Sequence, residues 1–288
     1  MRRLFLALVL IFAGGPAGAA PDSFIYNRNQ GDLDGVDRYV WKVLETALQR
    51  TRKSYGEYRL SSVPTMPTHR RAYAVEHGID GITVGLFTDN PEREKEMVPV
   101  RIPVDRGLTG YRVLLIHAAD QPRFSAVTGL SDLEKFRVGL LPWWDDAAVL
   151  KRANVPLVPG GTYDGLFQML AAHRFDALSR SAREILPEYE HRKDGLPDLA
   201  IEKHLLLHYP MPVYFWFRDD EQGRRRAERV RTGLAEMVAD GTLKKMFDAE
   251  FGPGLAKLDL GHRLVLELTN PLLDGDSVPE DPKLWYRP

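Results

Sequence analysis

The sequence contains no cysteine, which excludes disulfides, a cysteine nucleophile and a lipid attached to cysteine at an export site. It also lacks a long apolar run. The stretch Leu4 to Ala13 is about ten residues, too short to cross a bilayer, and no later segment is apolar enough to do so. Charge of one sign is not in excess: 39 Lys and Arg face 40 Asp and Glu, a net −1. Nothing here resembles the basic footprint of a nucleic-acid binder. No internal repeat, low-complexity block or G-x-S-x-G elbow occurs.

The N-terminus is the first thing present. Arg2 and Arg3 form a positive region, Leu4 to Ala13 an apolar one, and Ala17-Gly18-Ala19 an A-x-A cleavage site. Residues 1–19 are therefore expected to be a signal peptide cleaved near Ala19 or Ala20, delivering a chain without stable membrane insertion to the periplasm. The rest is longer than a usual single core and suits two lobes.

Apolar spacing predicts alternating strands and helices. A strand at Phe24 to Tyr26 precedes a helix over Asp37 to Arg52, with Val40, Val43, Leu44, Ala47 and Leu48 on one face. A strand at Tyr58 to Ser62 precedes a helix that starts at Thr65-Met66-Pro67 and stops at Gly78. Strands follow at Ile82 to Phe87, Gly110 to His117, Phe136 to Leu141 and Val213 to Phe217, with helices near 145–153 and 163–172 between them. Gly241 ends a long helix marked by Ala227, Val230, Leu234, Met237 and Val238, and Thr242 caps one more, through Phe247. From Pro253 the tail is rich in proline and turn residues, with a loose end past Asp274. The pattern is that of an α/β protein with a largely parallel sheet.

Within this frame, Phe87-Thr88-Asp89-Asn90-Pro91-Glu92-Arg93-Glu94-Lys95 places an arginine just past a strand's C-terminal end. A guanidinium fork matches a carboxylate bidentately, which makes Arg93 a candidate handle for a small anion. The alternative is a solvated arginine paired with Glu92, Glu94 or Glu96. His204 and His208 have i,i+4 spacing but lie in a β-prone, Pro-rich stretch without an H-E-x-x-H glutamate, so no metal or cofactor is expected.

Five segments in order resemble the periplasmic solute-binding proteins of the polar amino-acid type, family 3. Asn90-Pro91-Glu92-Arg93 is similar to that family's "T-P-E-R" segment, and Pro103 to Ile116 to its crossing strand. Leu130-Ser131-Asp132-Leu133 with Arg137-Val138-Gly139-Leu140 resembles its entry to the second lobe. Arg174-Phe175-Asp176-Ala177 and Asp240-Gly241-Thr242 resemble its "D-A" strand and "DGT" junction. The resemblance implies a type II periplasmic-binding-protein (Venus flytrap) fold, α/β and two-lobed, with two crossing segments. Lobe 1 is expected at 21–117 plus 213–288, lobe 2 at 118–212. A small ligand would lie in the crevice between them and stabilise closure.

The resemblance also implies site residues. Arg93 matches the arginine that pairs a ligand α-carboxylate, and Thr88 the hydroxyl beside it. Tyr26 stands where an aromatic wall is often found, or packs in the core. Where the family offers Gly-Thr, this chain reads Pro142-Trp143-Trp144-Asp145, so Trp143, Trp144 and Asp145 are expected at the pocket, with one tryptophan facing the crevice. The acid that holds an α-amino group is replaced by Ser181. These departures argue against an ordinary α-amino acid and leave room for an anionic, aromatic or larger ligand. The expectation is a monomeric, non-enzymatic binding protein that captures a small polar, anionic or aromatic metabolite for an ABC permease or a membrane sensor. A regulatory partner on the same scaffold remains open, as does a cyclohexadienyl-dehydratase-like enzyme.

Overall fold

The strand Val213–Arg218 shows how this sequence builds a lobe. Val213, Phe215 and Phe217 enter one apolar cluster and Tyr214 and Trp216 another on the opposite side, so the strand is buried on both faces. A continuous β-prone run is what a central strand covered by helices requires. Fully burying each of the large side chains contributes roughly 2 kcal/mol.

The computed structural model describes residues 21–28, 36–64, 66, 68–273 and 278–288. The expected signal peptide, and the Thr65 and Pro67 of the expected helix start, lie outside the described residues. Strand β1 (Asp22–Asn27) leads to α1 (Val36–Arg50), α2 (Arg52–Tyr55), β2 (Tyr58–Val63), α3 (Thr68–His77), β3 (Gly85–Thr88) and β4 (Met97–Val100). The chain crosses to β5 (Tyr111–His117), α4 (Gln121–Ser125), β6 (Val138–Leu140), α5 (Asp146–Arg152) and β7 (Leu157–Pro159). It continues through α6 (Tyr163–Ala171), β8 (Ala177–Ser181), α7 (Ile185–Arg192), β9 (Leu199–Ile201) and β10 (Leu205–His208). It returns as β11 (Val213–Arg218), α8 (Glu221–Ala239), α9 (Thr242–Leu258) and β12 (Leu264–Glu267).

Among the described residues the strands form three sheets. β1 pairs with β2 in parallel, and β11 lies between β3 and β4, antiparallel to both. Helices α1 and α8 pack on one side of β11 and α3 on the other. The larger sheet runs β12-β10-β5-β8-β6-β7, with β9 continuing the β10 side of β5. Leu114 and Ile116 of β5 face α4 and α5, while Val113 and Leu115 face the cluster containing Leu166, Phe167 and Ile185.

Four expectations need correction. The sheets are mixed rather than largely parallel, because β5 and β11, which follow the two crossings, run against their neighbours. β5 belongs to the second lobe's sheet, and β12 joins it by pairing with β10, so sheet membership departs from the expected division at 111–117 and 264–267. Helix α9 runs past Phe247 to Leu258 with Pro253 inside it. Buried Phe251, Leu255 and Leu258 hold this segment helical, tertiary packing outweighing the missing hydrogen bond. Residues 278–288 are not loose: Arg106 donates to the Trp285 carbonyl at 2.8 Å, the Tyr286 amide donates to the Arg106 carbonyl at 2.7 Å, and the Tyr111 hydroxyl donates to the Tyr286 carbonyl at 3.0 Å.

The two crossing segments touch at Gly110, whose carbonyl accepts from the Tyr209 amide at 3.2 Å. A Cβ at Gly110 would lie 2.1 Å from the Tyr209 carbonyl oxygen, so only glycine permits this approach. Gly110→Ala is therefore expected to destabilise the protein by about 1–3 kcal/mol through overpacking. Urea denaturation checks this, and an unchanged midpoint would show that the segments can separate freely.

Candidate functional site

Arg93 follows β3 by five residues, in the short 3-10 turn Arg93–Lys95. Its guanidinium is steered by the end of the strand: Nη1 donates to the Thr88 carbonyl at 3.0 Å, and the group lies over the Phe87 ring, 5.6 Å from its centroid. The nearby acids are engaged elsewhere. Glu92 pairs with Lys95 at 2.5 Å and Glu94 with Arg101 at 2.7 Å. Arg93 is thus not paired with Glu92 or Glu94 in the manner of a solvated charge run.

Its partner comes from the second lobe. Arg93 Nη1 donates to Asp145 Oδ2 at 2.8 Å, and the side chains are only 17% and 13% exposed. Thr88 Oγ1 donates to the same oxygen, and Asn90 Nδ2 donates to Asp145 Oδ1 at 3.1 Å. Three donors, one from the end of β3 and two from the segment after it, thus converge on one carboxylate. Charge-assisted bonds of this kind are each worth about 1.5–3 kcal/mol, and removing one partner of a sheltered pair leaves the other uncompensated.

Asp145 reaches across because its neighbour is anchored. Asp146, the first residue of α5, is buried and accepts from Arg112 Nη2 at 2.7 Å and from the Tyr209 hydroxyl at 2.6 Å. Burial, then the Asp146 charge, raises the Tyr209 phenol well above its usual range, so it stays a proton donor. The start of α5 is thereby tied to β5 and to the returning crossing segment, and the preceding side chain is left pointing at the other lobe.

The remaining expected residues separate. Trp143 is 42% exposed, whereas Trp144 packs against both large clusters with the Arg180 guanidinium 4.9 Å from its ring centroid. Arg180 is buried and makes two bonds to Glu188, at 2.7 and 2.5 Å, and Glu188 also accepts from the Tyr163 hydroxyl at 2.5 Å. Burial opposes the Arg180 charge, but Glu188 and Glu184 outweigh it and raise its pKa. Ser181 is fully buried and donates to the Leu108 carbonyl at 3.4 Å. Tyr26 stacks on Trp41 with centroids 4.0 Å apart. The structure brings Arg93, Thr88 and Asp145 together, and places Tyr26 and Ser181 in contacts of their own. Asn90 was missed by sequence reasoning, although it lies inside the same nine-residue stretch. The Asp145-Asp146 doublet was the available signal for an acid at this place. Among the described residues no group of three metal-type side chains converges, and no helix is long and apolar enough to cross a membrane.

No protein-family model matches the sequence, and no curated protein matches it. Solved structures do. The chain is similar to an ancestral arginine-binding protein bound to arginine, at 18% identity over 80% of this chain and 98% of that one, TM-score 0.57. It is similar to a Salmonella typhimurium periplasmic binding protein of high arginine specificity, at 15% identity over 80% and 99%, TM-score 0.57. A histidine kinase sensor domain with similarity to periplasmic binding proteins matches at 14% identity over 81% and 97%, TM-score 0.58. At this identity the likeness defines the fold: an α/β, two-lobed periplasmic-binding-protein architecture.

Asp89, next to Thr88, is 2% exposed and accepts from Arg101 at 3.1 Å. Burial pushes its carboxyl up to about 6, with Arg101 opposing the rise and Glu94 adding to it. The folded state therefore holds a proton that an ordinary aspartate, at 3.8, has released. This contribution to stability is present below 3.8 and lost as pH rises to about 6. Asp89→Asn, which cannot ionise, is expected to gain on the parent by about 1.4 kcal/mol for every pH step of one across that window. Urea titrations across pH measure the difference, and parallel curves would remove the assignment.

Proposed function

We propose that this chain is an exported solute-binding protein. It captures a small polar, anionic or aromatic metabolite between its lobes and presents the ligand-bound form to an ABC-type permease or a membrane sensor. The observation that carries this reading is the set of three donors, Arg93, Thr88 and Asn90, that converge on one carboxylate, that of Asp145. Such a constellation recognises charge and shape by hydrogen bonds from rigidly based side chains. Structures with the same fold include binding proteins for arginine and a kinase sensor domain, so both transport and sensing remain natural uses of it. The dehydratase-like alternative gains nothing at this site. Asp145 is paired with Arg93, and Asp89, although its carboxyl is raised, is paired with Arg101 and only 2% exposed, out of reach of a substrate.

A second reading has its own support. The carboxylate now on Arg93 belongs to the protein. A scaffold that fills its own anion site is suited to a regulatory partner that no longer binds solutes.

Thermal unfolding against amino acids, organic acids, polyamines and aromatic metabolites separates the two. Under the solute reading at least one compound raises the melting temperature saturably, the gain reaching about 2.7 kcal/mol at a hundredfold excess over Kd. Arg93→Ala is expected to abolish the shift for any carboxylate ligand. An unresponsive wild-type protein across the whole panel would favour the partner reading.

A further inference from the structure

The Arg93–Asp145 contact differs in kind from the other sheltered ion pairs at the site. Arg112–Asp146 and Arg180–Glu188 tie elements within the second lobe. Arg93–Asp145 joins side chains from different lobes, 52 positions apart in the chain. Asp145 does not cap its own helix, its helical backbone angles closing that role. It occupies the N-cap position of α5, yet with φ −62° and ψ −26° its side chain makes no capping bond. An aspartate there ordinarily accepts from the first helical amides, an interaction worth about 1 kcal/mol. Here both carboxylate oxygens are instead used on Thr88, Asn90 and Arg93.

We propose that Asp145 is the specificity-determining residue of this site. It acts as an internal carboxylate that competes with any solute carboxylate for Arg93. The inference rests on the solute-binding reading and narrows it. A carboxylate solute must displace Asp145 before it reaches the guanidinium, whereas a solute without a carboxylate is spared that exchange. A tethered group acts at an effective concentration on the order of millimolar or higher. Its occupancy weakens a competing carboxylate by the fraction of time Arg93 is free. Asp145 thus sets the charge class accepted, biasing the native site away from carboxylates and toward neutral solutes.

Chemical rescue tests this without knowledge of the natural solute. Asp145→Ala removes the carboxylate and leaves a space that formate or acetate can fill. Melting temperatures of wild type, Asp145→Ala, Arg93→Ala and the double variant are followed in titrations with sodium formate and sodium acetate, against sodium chloride at equal ionic strength. The expected result is a saturable, anion-specific rise in Asp145→Ala, with half-saturation at least about tenfold lower than in wild type. The rise is absent from both proteins lacking Arg93. Equal responses in all four proteins, or none in folded Asp145→Ala, would overturn the proposal. Asp145→Asn serves the same arms if the alanine variant does not fold. Rescue with an empty metabolite panel would keep the role of Asp145 and remove the solute reading. A panel hit without rescue would do the reverse.

Discussion

The two crossing segments meet backbone to backbone at Gly110 and Tyr209, and the relation of one lobe to the other depends on that contact. Around it the outgoing segment is held by fully buried Asp105. This carboxylate accepts from the Gly107 amide at 3.1 Å, the Thr109 amide at 3.0 Å and the Thr109 hydroxyl at 2.5 Å, with Arg183 3.7 Å away. Burial raises the Asp105 pKa, while Arg183 and these bonds oppose the rise. The tail grips both crossings: Trp285 and Tyr286 bond Arg106 on one, and Asn270 donates to the Pro210 carbonyl on the other at 2.9 Å. With the tail bound to both segments, lobe motion has to be accommodated in its contacts as well as in the crossings themselves.

The same crossing also sets the reach of the site. Tyr209 lies at the contact and donates to Asp146, which Arg112 of β5 holds from the other side. The second aspartate of the doublet is therefore an anchor and the one before it a probe. This division is strict because Asp146 is satisfied inside the second lobe, leaving Asp145 alone to face Arg93. Moving the crossing would move α5, and with it the carboxylate that Thr88, Asn90 and Arg93 surround.

Much of the architecture was legible because burial on two faces leaves a plain mark. The run Val213 to Phe217 and the helical stripe Val40, Val43, Leu44, Ala47 and Leu48 both lie in the core. Gly78 and Gly241 take positive φ, 64° and 79°, at the helix boundaries assigned to them. Partnerships between distant strands were not legible. Nothing local in Leu264 to Glu267 says that it pairs with β10, and Pro253 reads as a break until Phe251, Leu255 and Leu258 are seen packed around it. At the site, Arg93 stood out by residue type and place, and Thr88 only through the family resemblance. The donation from Asn90 and the aim of Asp145 depend on how two lobes are set together, which no spacing within one segment encodes.

An arginine sheltered at the edge of a cleft needs a counter-charge, because its desolvation is otherwise uncompensated. In a receptor whose ligand supplies that charge, the ligand contributes differential free energy to the arrangement in which the lobes meet. Here Asp145 supplies it from within the chain, so the contact needs no anion from solution. On the proposed solute-binding reading, a solute would gain only the difference between its own contacts and those of Asp145. The polar groups beside Arg93, Thr88 and Asn90, are themselves bonded to the same carboxylate. Discrimination at such a site comes from what a solute offers beyond a carboxylate.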